Sequence, residues 1–322
     1  MLPAAGQMTI CFAHVAYQMQ ARFALRQAGI NSIEVRDRAG LEAGIGQADV
    51  LVVSGLWRNE LVEMAPRLKF IQSIGAGTDQ FDREVLRGRG IRLASAAGVN
   101  ARAVSEHAMS LILALARRLP EARDNQAKKV WRGMIGDLGQ REDELQGKTL
   151  VIVGLGKIGG RLAQIAKAFD MRVIGVRRDP AGGKGAADEV HALAALPGLL
   201  PATDFVALTC PLTPETTNLI DAAALAAMRP SAYLVNCARG RVVDEPALVA
   251  ALQAGTIAGA GIDVTWEEPL PAESPLWDAP NAFITPHTAG ETRRYEDNVL
   301  DILMENLARQ WRGDAALLNQ IV

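Results

Sequence analysis

The feature that most constrains this chain is a glycine turn set between an apolar strand and an amphipathic helix. Thr-Leu-Val-Ile-Val (149–153) runs straight into Gly154-Leu155-Gly156-Lys157-Ile158-Gly159-Gly160, and Arg161 to Phe169 then reads as a helix. In such a string the first glycine permits the tight turn, the second lets backbone approach a pyrophosphate, and the third lets helix and strand pack closely. The amides at that helix start would face the phosphates, where the helix dipole favours negative charge. A G-x-G-x-x-G string alone is weak evidence and is compatible with a turn that holds no ligand. Its position between strand and helix points to nucleotide binding.

The surrounding pattern repeats the strand-helix theme. Continuous apolar runs at 149–154, 171–176, 204–210, 232–237, 259–264 and 281–286 read as six buried strands of a parallel sheet covered on both faces. An earlier and smaller series places strands at 9–13, 48–55, 69–75 and 90–96, with helical segments at Gln18 to Gln27 and Asn59 to Ala65. A long helical stretch begins near Ala101 and runs past Leu119, and helical periodicity returns from Glu291 to about Arg312. The expected fold is therefore α/β, with two doubly wound parallel-sheet domains. A Rossmann cofactor domain over 101–290 would be inserted in a flavodoxin-like substrate domain made of 1–100 and 291–322.

Composition excludes several other classes. Thirty-four Lys and Arg against 36 Asp and Glu leave a net charge of -2, without the broad positive field of a nucleic-acid binder. The longest strongly apolar stretch, around Leu111 to Ala116, is far short of a membrane span, and the start MLPAAGQM lacks the pattern of a secretory signal. Cys11, Cys210 and Cys237 are odd in number and widely spaced, which argues against disulfides or a thiolate zinc site and fits a reducing compartment, the cytoplasm. His14 and His191 have no acid or cysteine cluster around them, so no metal is expected.

The dinucleotide fingerprint asks for an acid at the tip of the second strand, where it bonds the adenosine ribose. Here that tip reads Val176-Arg177-Arg178-Asp179. Arg177 and Arg178 present guanidinium groups, which suit a 2′-phosphate, so NADP is favoured; the alternative is that both are solvated and Asp179 takes the ribose of NAD.

Three groups stand at carboxyl ends of the late strands, where open α/β sheets bind ligands. Arg239 lies in VNCARGRVVD, Glu268 in DVTWEEPLP and His287 in TPHTAG. Taken singly, each has a plain reading as a surface ion pair, a loop charge or a packed imidazole. Beside a nicotinamide they form a chemically complete set. Interconverting a 2-hydroxy and a 2-oxo acid needs a proton carrier, a hydride carrier and a planar cation for the carboxylate. Histidine exchanges protons near neutral pH, a neighbouring carboxylate such as Glu268 favours its imidazolium, and arginine offers a fork to an acid.

With these motifs the chain resembles the D-isomer-specific 2-hydroxyacid dehydrogenases of the glyoxylate/hydroxypyruvate reductase type. The matching segments run in order through IGAGTDQFD (74–82), NARAVSEHAMSLILAL (100–115), LQGKTLVIVGLGKIGGRLA (145–163), CPLTPETTNLI (210–220), VNCARGRVVDEPAL (235–248), GIDVTWEEPLP (261–271) and NAFITPHTAG (281–290). The resemblance implies that Arg239 binds the substrate carboxylate near its carbonyl, His287 donates or accepts the proton, and Glu268 tunes that histidine. It implies that the amides of Ala76 and Gly77 help hold the substrate. For the cofactor it implies Lys157 and Ile158 at the pyrophosphate, Cys210 and Pro211 beside the adenosine, Cys237 and Ala238 near the nicotinamide ribose, and Asp263 at the carboxamide; Gly154, Gly156 and Gly159 of the turn, with His287 and Ala289, complete the expected cofactor-binding residues. It also implies a homodimer.

Departures from the family pattern locate what is particular to this chain. Arg177 replaces the usual acid, and Asp263-Val264-Thr265 followed by Trp266 replaces Asp-Val-Phe. Formate dehydrogenases of the family carry an amide at the position of Glu268, which argues against that reaction, and 322 residues suggest no extra regulatory domain of the phosphoglycerate dehydrogenase kind. His107 reads as an interface or satisfied core residue, and Leu56 and Trp57 fit a substrate cleft as well as a core. The rival class is a nucleotide-sensing interaction protein related to corepressors. Within the enzyme class, a phosphonate or sugar-acid dehydrogenase would share the same machinery.

Overall fold

The computed structural model describes residues 2–322, which divide into two compact units: residues up to Asn100 with Thr292–Val322, and Ala101–Glu291. In chain order the first unit contributes β1 (Thr9–Ala13), α1 (Met19–Ala24), β2 (Asn31–Val35), α2 (Arg38–Gly44), β3 (Val50–Val53), β4 (Phe70–Ser73), α3 (Arg83–Gly88) and β5 (Arg92–Ala94). The second contributes α4 (Ala101–Ala116), α5 (Leu119–Ala127), β6 (Thr149–Val153), α6 (Lys157–Lys167), β7 (Arg172–Val176), β8 (Glu189–His191), α7 (Leu196–Leu199), β9 (Phe205–Leu208), α8 (Ala222–Ala227), β10 (Tyr233–Asn236), α9 (Glu245–Gln253), β11 (Gly259–Ile262) and β12 (Ala282–Ile284). The last helix, α10 (Tyr295–Arg312), belongs to the first unit.

The first sheet has the order β2-β1-β3-β4-β5 and is parallel throughout. This is the flavodoxin-like order. Its inner strands are apolar on both faces because α10 and α1 cover one side through Phe12, Phe23, Val299, Leu303 and Leu307, while Leu41, Trp57, Ile71 and Leu86 fill the other. Two buried polar bonds lock α10 to the sheet: the Tyr295 hydroxyl donates to the Ile74 carbonyl at 2.8 Å, and the Asn306 amide to Gln72 Oε1 at 3.1 Å.

The second sheet has seven parallel strands in the order β12-β11-β10-β9-β6-β7-β8. The chain leaves β6 toward β7 and β8, then crosses back to β9 on the other side. The β6–β9 boundary is thus a topological switch point, and the crevice there is open to ligand. α4 and α6 cover one face with Leu111, Ile112 and Leu162, whereas Leu196, Leu225, Leu248 and Leu252 fill the other.

Several elements depart from the sequence reading. β2, α2 and β8 went unread: the strands are half-buried edges with mixed polarity, and α2 buries only Leu41, so none carries a continuous apolar signal. Asn59–Met64 winds as 3₁₀ turns rather than as an α-helix. No side chain caps its start, and the Asn59 carboxamide is already taken by the Trp57 indole at 3.0 Å and the Asp82 amide at 2.9 Å. The long helix expected past Leu119 breaks at Arg118, whose φ is 49°; Pro120 has no N–H to continue the preceding helix and instead sits in the first turn of α5. Trp57 is fully buried against Phe81, so it belongs to the core. Leu56 packs against the same cluster.

Candidate active site

The glycine turn is shaped by exclusion. Gly154 has a φ of 101°, and a β-carbon there would come within 2.5 Å of the Cys210 backbone nitrogen at the end of β9. At Gly159 a β-carbon would lie 2.2 Å from the Gly154 carbonyl oxygen, which itself accepts the Thr209 hydroxyl at 2.8 Å. Gly156 differs, because a β-carbon there would meet nothing within 4 Å. That opening fronts the start of α6, which no side chain caps. Among the described residues the amides of Gly156 and Ile158 have no acceptor. Uncapped amides at an open helix start fit the pyrophosphate of a dinucleotide.

At the tip of β7 the two arginines differ. Arg177 Nη1 donates to the carbonyls of Gly182 and Gly183 at 3.0 and 3.1 Å, so this guanidinium braces the following loop. Arg178 is exposed; the nearby Glu215 carboxyl is held below the ordinary glutamate range by the Thr213 hydroxyl, then by the Glu215 amide, with the Arg178 charge a smaller contribution. Asp179 caps the Ala181 amide at 3.0 Å, a local use for the carboxylate.

The proposed chemistry clusters beyond β10, β11 and β12. His287 Nδ1 lies 2.6 Å from Glu268 Oε2, and Glu268 Oε1 accepts the Thr265 amide at 3.1 Å. The carboxylate is thus held at both oxygens. The His287 side chain is 49% exposed, and its Nε2 has no protein partner among the described residues. Its backbone adopts a left-handed φ of 54°, held by two bonds from its amide, to the Asp263 carbonyl at 2.8 Å and the Thr285 carbonyl at 3.0 Å. A non-glycine residue in this region is uncommon and needs such support.

Arg239 is exposed at the end of a turn that buried Asn236 closes. The Asn236 carboxamide accepts the Ala238 amide at 3.0 Å and donates to the Arg239 carbonyl at 3.1 Å. Gly240 presses this turn onto the loop that bears Glu268, since a β-carbon there would lie 2.0 Å from the Thr265 carbonyl oxygen. Trp266 completes the loop: its indole donates to the Val243 carbonyl, and the Arg241 guanidinium stacks 4.5 Å above its ring. Asn236 escaped the sequence reading because an asparagine at a strand end carries no spacing signal, and Thr265, noted as a departure from the family pattern, gave no sign that its amide would hold Glu268.

Cys210 and Cys237 are buried and free, as is Cys11. Burial pushes the Cys210 thiol up to about 11; at Cys237 burial, and secondarily the Asp263 charge, push it higher still, so both are packing groups rather than nucleophiles. Pro211 follows Cys210 in an exposed turn, and Ala238 is buried beside Arg239. Asp263, nearly fully buried, accepts the amides of Thr288 and Ala289. In the first unit, the turn after β4 carries Ala76 and Gly77, whose amides have no acceptor among the described residues. Among the described residues no group of His, Cys, Asp and Glu could hold a metal, and no helix is long and apolar enough to cross a membrane.

Residues 109–289 match the family described as D-isomer specific 2-hydroxyacid dehydrogenase, NAD binding domain. A glyoxylate/hydroxypyruvate reductase B from Yersinia enterocolitica is 38% identical over 277 residues, covering 85% of this chain and 84% of that protein. A D-3-phosphoglycerate dehydrogenase from Synechocystis is 33% identical over 287 residues; the match covers 85% of this chain but only half of that longer protein. An NADPH-dependent glyoxylate/hydroxypyruvate reductase from Sinorhizobium meliloti, solved with NADP and malonate, superposes with a TM-score of 0.78 at 27% identity, covering 98% of this chain and 97% of that one.

Proposed function

The chain belongs to the D-isomer specific 2-hydroxyacid dehydrogenases, and from that premise we propose that it reduces the C2 carbonyl of a small 2-oxo acid of the glyoxylate or hydroxypyruvate kind, with NADPH preferred to NADH. The dihydronicotinamide supplies a hydride when bound. Everything else falls to this chain's own residues. The observation that carries the reading is the 2.6 Å pair of His287 and Glu268, with Nε2 of the histidine left open. The Glu268 carboxylate at Nδ1 fixes the ring, and Nε2 is the nitrogen that passes a proton to the forming alkoxide. In the reverse direction the same nitrogen takes the hydroxyl proton.

Arg239 binds the substrate carboxylate with its fork and draws electron density from the adjacent carbonyl. For the dinucleotide we assign Gly156, Lys157 and Ile158 to the pyrophosphate, in a turn that Gly154 and Gly159 make possible, Cys210 and Pro211 to the adenosine, Cys237 and Ala238 to the nicotinamide ribose, and Asp263 to the carboxamide, with Ala289 and His287 also lining the cofactor. The NADP preference rests on Arg178, exposed at the tip of β7, with Arg177 bracing the loop beside it.

A panel of 2-oxo acids run with NADPH and NADH tests the reading. Glyoxylate or hydroxypyruvate should give the highest kcat/KM, and NADPH should exceed NADH. A strong NADH preference overturns the cofactor assignment. Turnover confined to phosphonate or sugar acids overturns the substrate assignment, and no turnover of any acid favours the nucleotide-sensing rival.

The same reading makes the protein a cytoplasmic homodimer. Support comes from the segment 128–142, where Trp131 is 97% exposed and Met134 and Leu138 are also bare, apolar area that a second copy would cover. Light scattering at micromolar concentration should give twice the 34.4 kDa chain mass.

A further inference from the structure

Asp263 is 3% exposed, and a buried carboxylate persists only when donors compensate its lost hydration. The donors here are unevenly shared. Oδ1 accepts the Thr285 hydroxyl at 2.7 Å, the Thr288 amide at 3.1 Å and the Ala289 amide at 3.2 Å, whereas Oδ2 accepts only the Ala289 amide at 3.2 Å. Oδ2 therefore keeps lone-pair capacity for an incoming N–H.

The Thr285 hydroxyl has one hydrogen, and Asp263 receives it. His107 Nε2 lies 2.9 Å from the same hydroxyl oxygen, so the ring nitrogen must be the donor to it. The ring also stands 3.5 Å from Asp263 Oδ1, where a protonated Nε2 faces the carboxylate favourably and a bare one would oppose it. α4 brings His107 there because Gly261 has no side chain: a β-carbon at Gly261 would lie 3.0 Å from Leu111 Cβ. One turn before Leu111, His107 reaches over the end of β11. The Asp263 carbonyl, in turn, holds the His287 amide at 2.8 Å.

We propose that His107 and Thr285 are positioning residues for hydride transfer, acting as a donor chain from His107 Nε2 through the Thr285 hydroxyl to Asp263 Oδ1. The chain fixes the Asp263 carboxylate so that Oδ2 meets an amide group of the ligand, and it steadies the segment that carries His287. The inference rests on the reading that this edge binds a nicotinamide. It adds two residues that touch neither substrate nor reacting atoms.

Two measurements test it. Imidazole nitrogen–proton correlation spectra of the ligand-free protein should show His107 protonated at Nε2; a ring protonated only at Nδ1 overturns the chain. Nucleotide affinity, read by fluorescence titration without any 2-oxo acid, should weaken about tenfold in Thr285→Val, the scale of one hydrogen bond to a charged group. Thr285→Ser should restore it to within about twofold by the same reckoning, because the hydroxyl returns. His107→Leu should act like Thr285→Val, whereas His107→Gln, which keeps an N–H donor, should retain part of the affinity. Unchanged nucleotide affinity in Thr285→Val and His107→Leu, with only a lowered Tm, assigns both residues to packing and overturns the proposal. If the wild-type protein binds nucleotide yet reduces no acid, the proposed function fails while the affinities and the tautomer still decide the donor chain.

Discussion

The turn after β6 is built by leaving side chains out, whereas the loops after β10, β11 and β12 are built by joining side chains to backbone. At Gly154 and Gly159 a single added carbon would come within 2.5 and 2.2 Å of fixed backbone atoms. At His287 and Glu268 nothing is crowded; the pair is exposed, and it keeps its geometry because the Thr265 amide donates to Glu268 and the Asp263 and Thr285 carbonyls accept the His287 amide. A steric device is part of the core and should fail by unfolding. A hydrogen-bonded device stands outside the core and should fail by losing rate while the protein stays folded.

Substitutions can break that contrast. The largest effect is expected for His287→Ala, which should lower kcat by about 10²–10⁴-fold, the usual share of a general acid, with Tm and nucleotide affinity close to wild type. Steady-state kinetics beside a thermal melt would show it; a large fall in Tm would mean that the histidine segment is as structural as the glycine turn. Gly159→Ala should behave oppositely. Its methyl meets the Gly154 carbonyl, which cannot swing aside as a side chain could, so stability should drop by roughly 1–3 kcal/mol and nucleotide binding should weaken with it. Denaturant unfolding with nucleotide titration measures both, and an Ala variant as stable as wild type would show the turn to be compliant.

The smallest effect separates a third behaviour. A β-carbon at Gly182 would approach Arg177 Nη2 to 2.6 Å, but that atom ends a flexible side chain. Gly182→Ala should therefore leave stability unchanged, displace the Arg177 guanidinium from its loop carbonyls and lower the NADPH-to-NADH ratio of kcat/KM a few-fold. An unchanged ratio would leave Arg178 alone with the phosphate assignment.

How much of this was legible in the sequence depends on whether the determining contacts are local. Apolar runs covered on both faces announced the inner strands, but the edge strands β2 and β8, half exposed, did not stand out. Pro120 was visible, yet periodicity carried the helical reading past it, and the backbone reversed at Arg118 instead. The glycine turn was legible because its constraint at Gly154 and Gly159, where no side chain fits, is written residue by residue. Arg239, Glu268 and His287 could be picked out by residue type at strand ends, although their company could not be derived from spacing.

By itself, then, the sequence determined the α/β class, the dinucleotide turn and a short set of reactive candidates, since periodicity and glycine sterics act over a few neighbours. Only the tertiary structure decided that Trp57 lies in the core, that Arg177 turns to the Gly182 and Gly183 carbonyls, and that Asp263 gathers its donors on one oxygen. The reason is physical: a buried polar group must find a partner wherever the packing places one. For His107 that partner is Thr285, 178 residues along the chain.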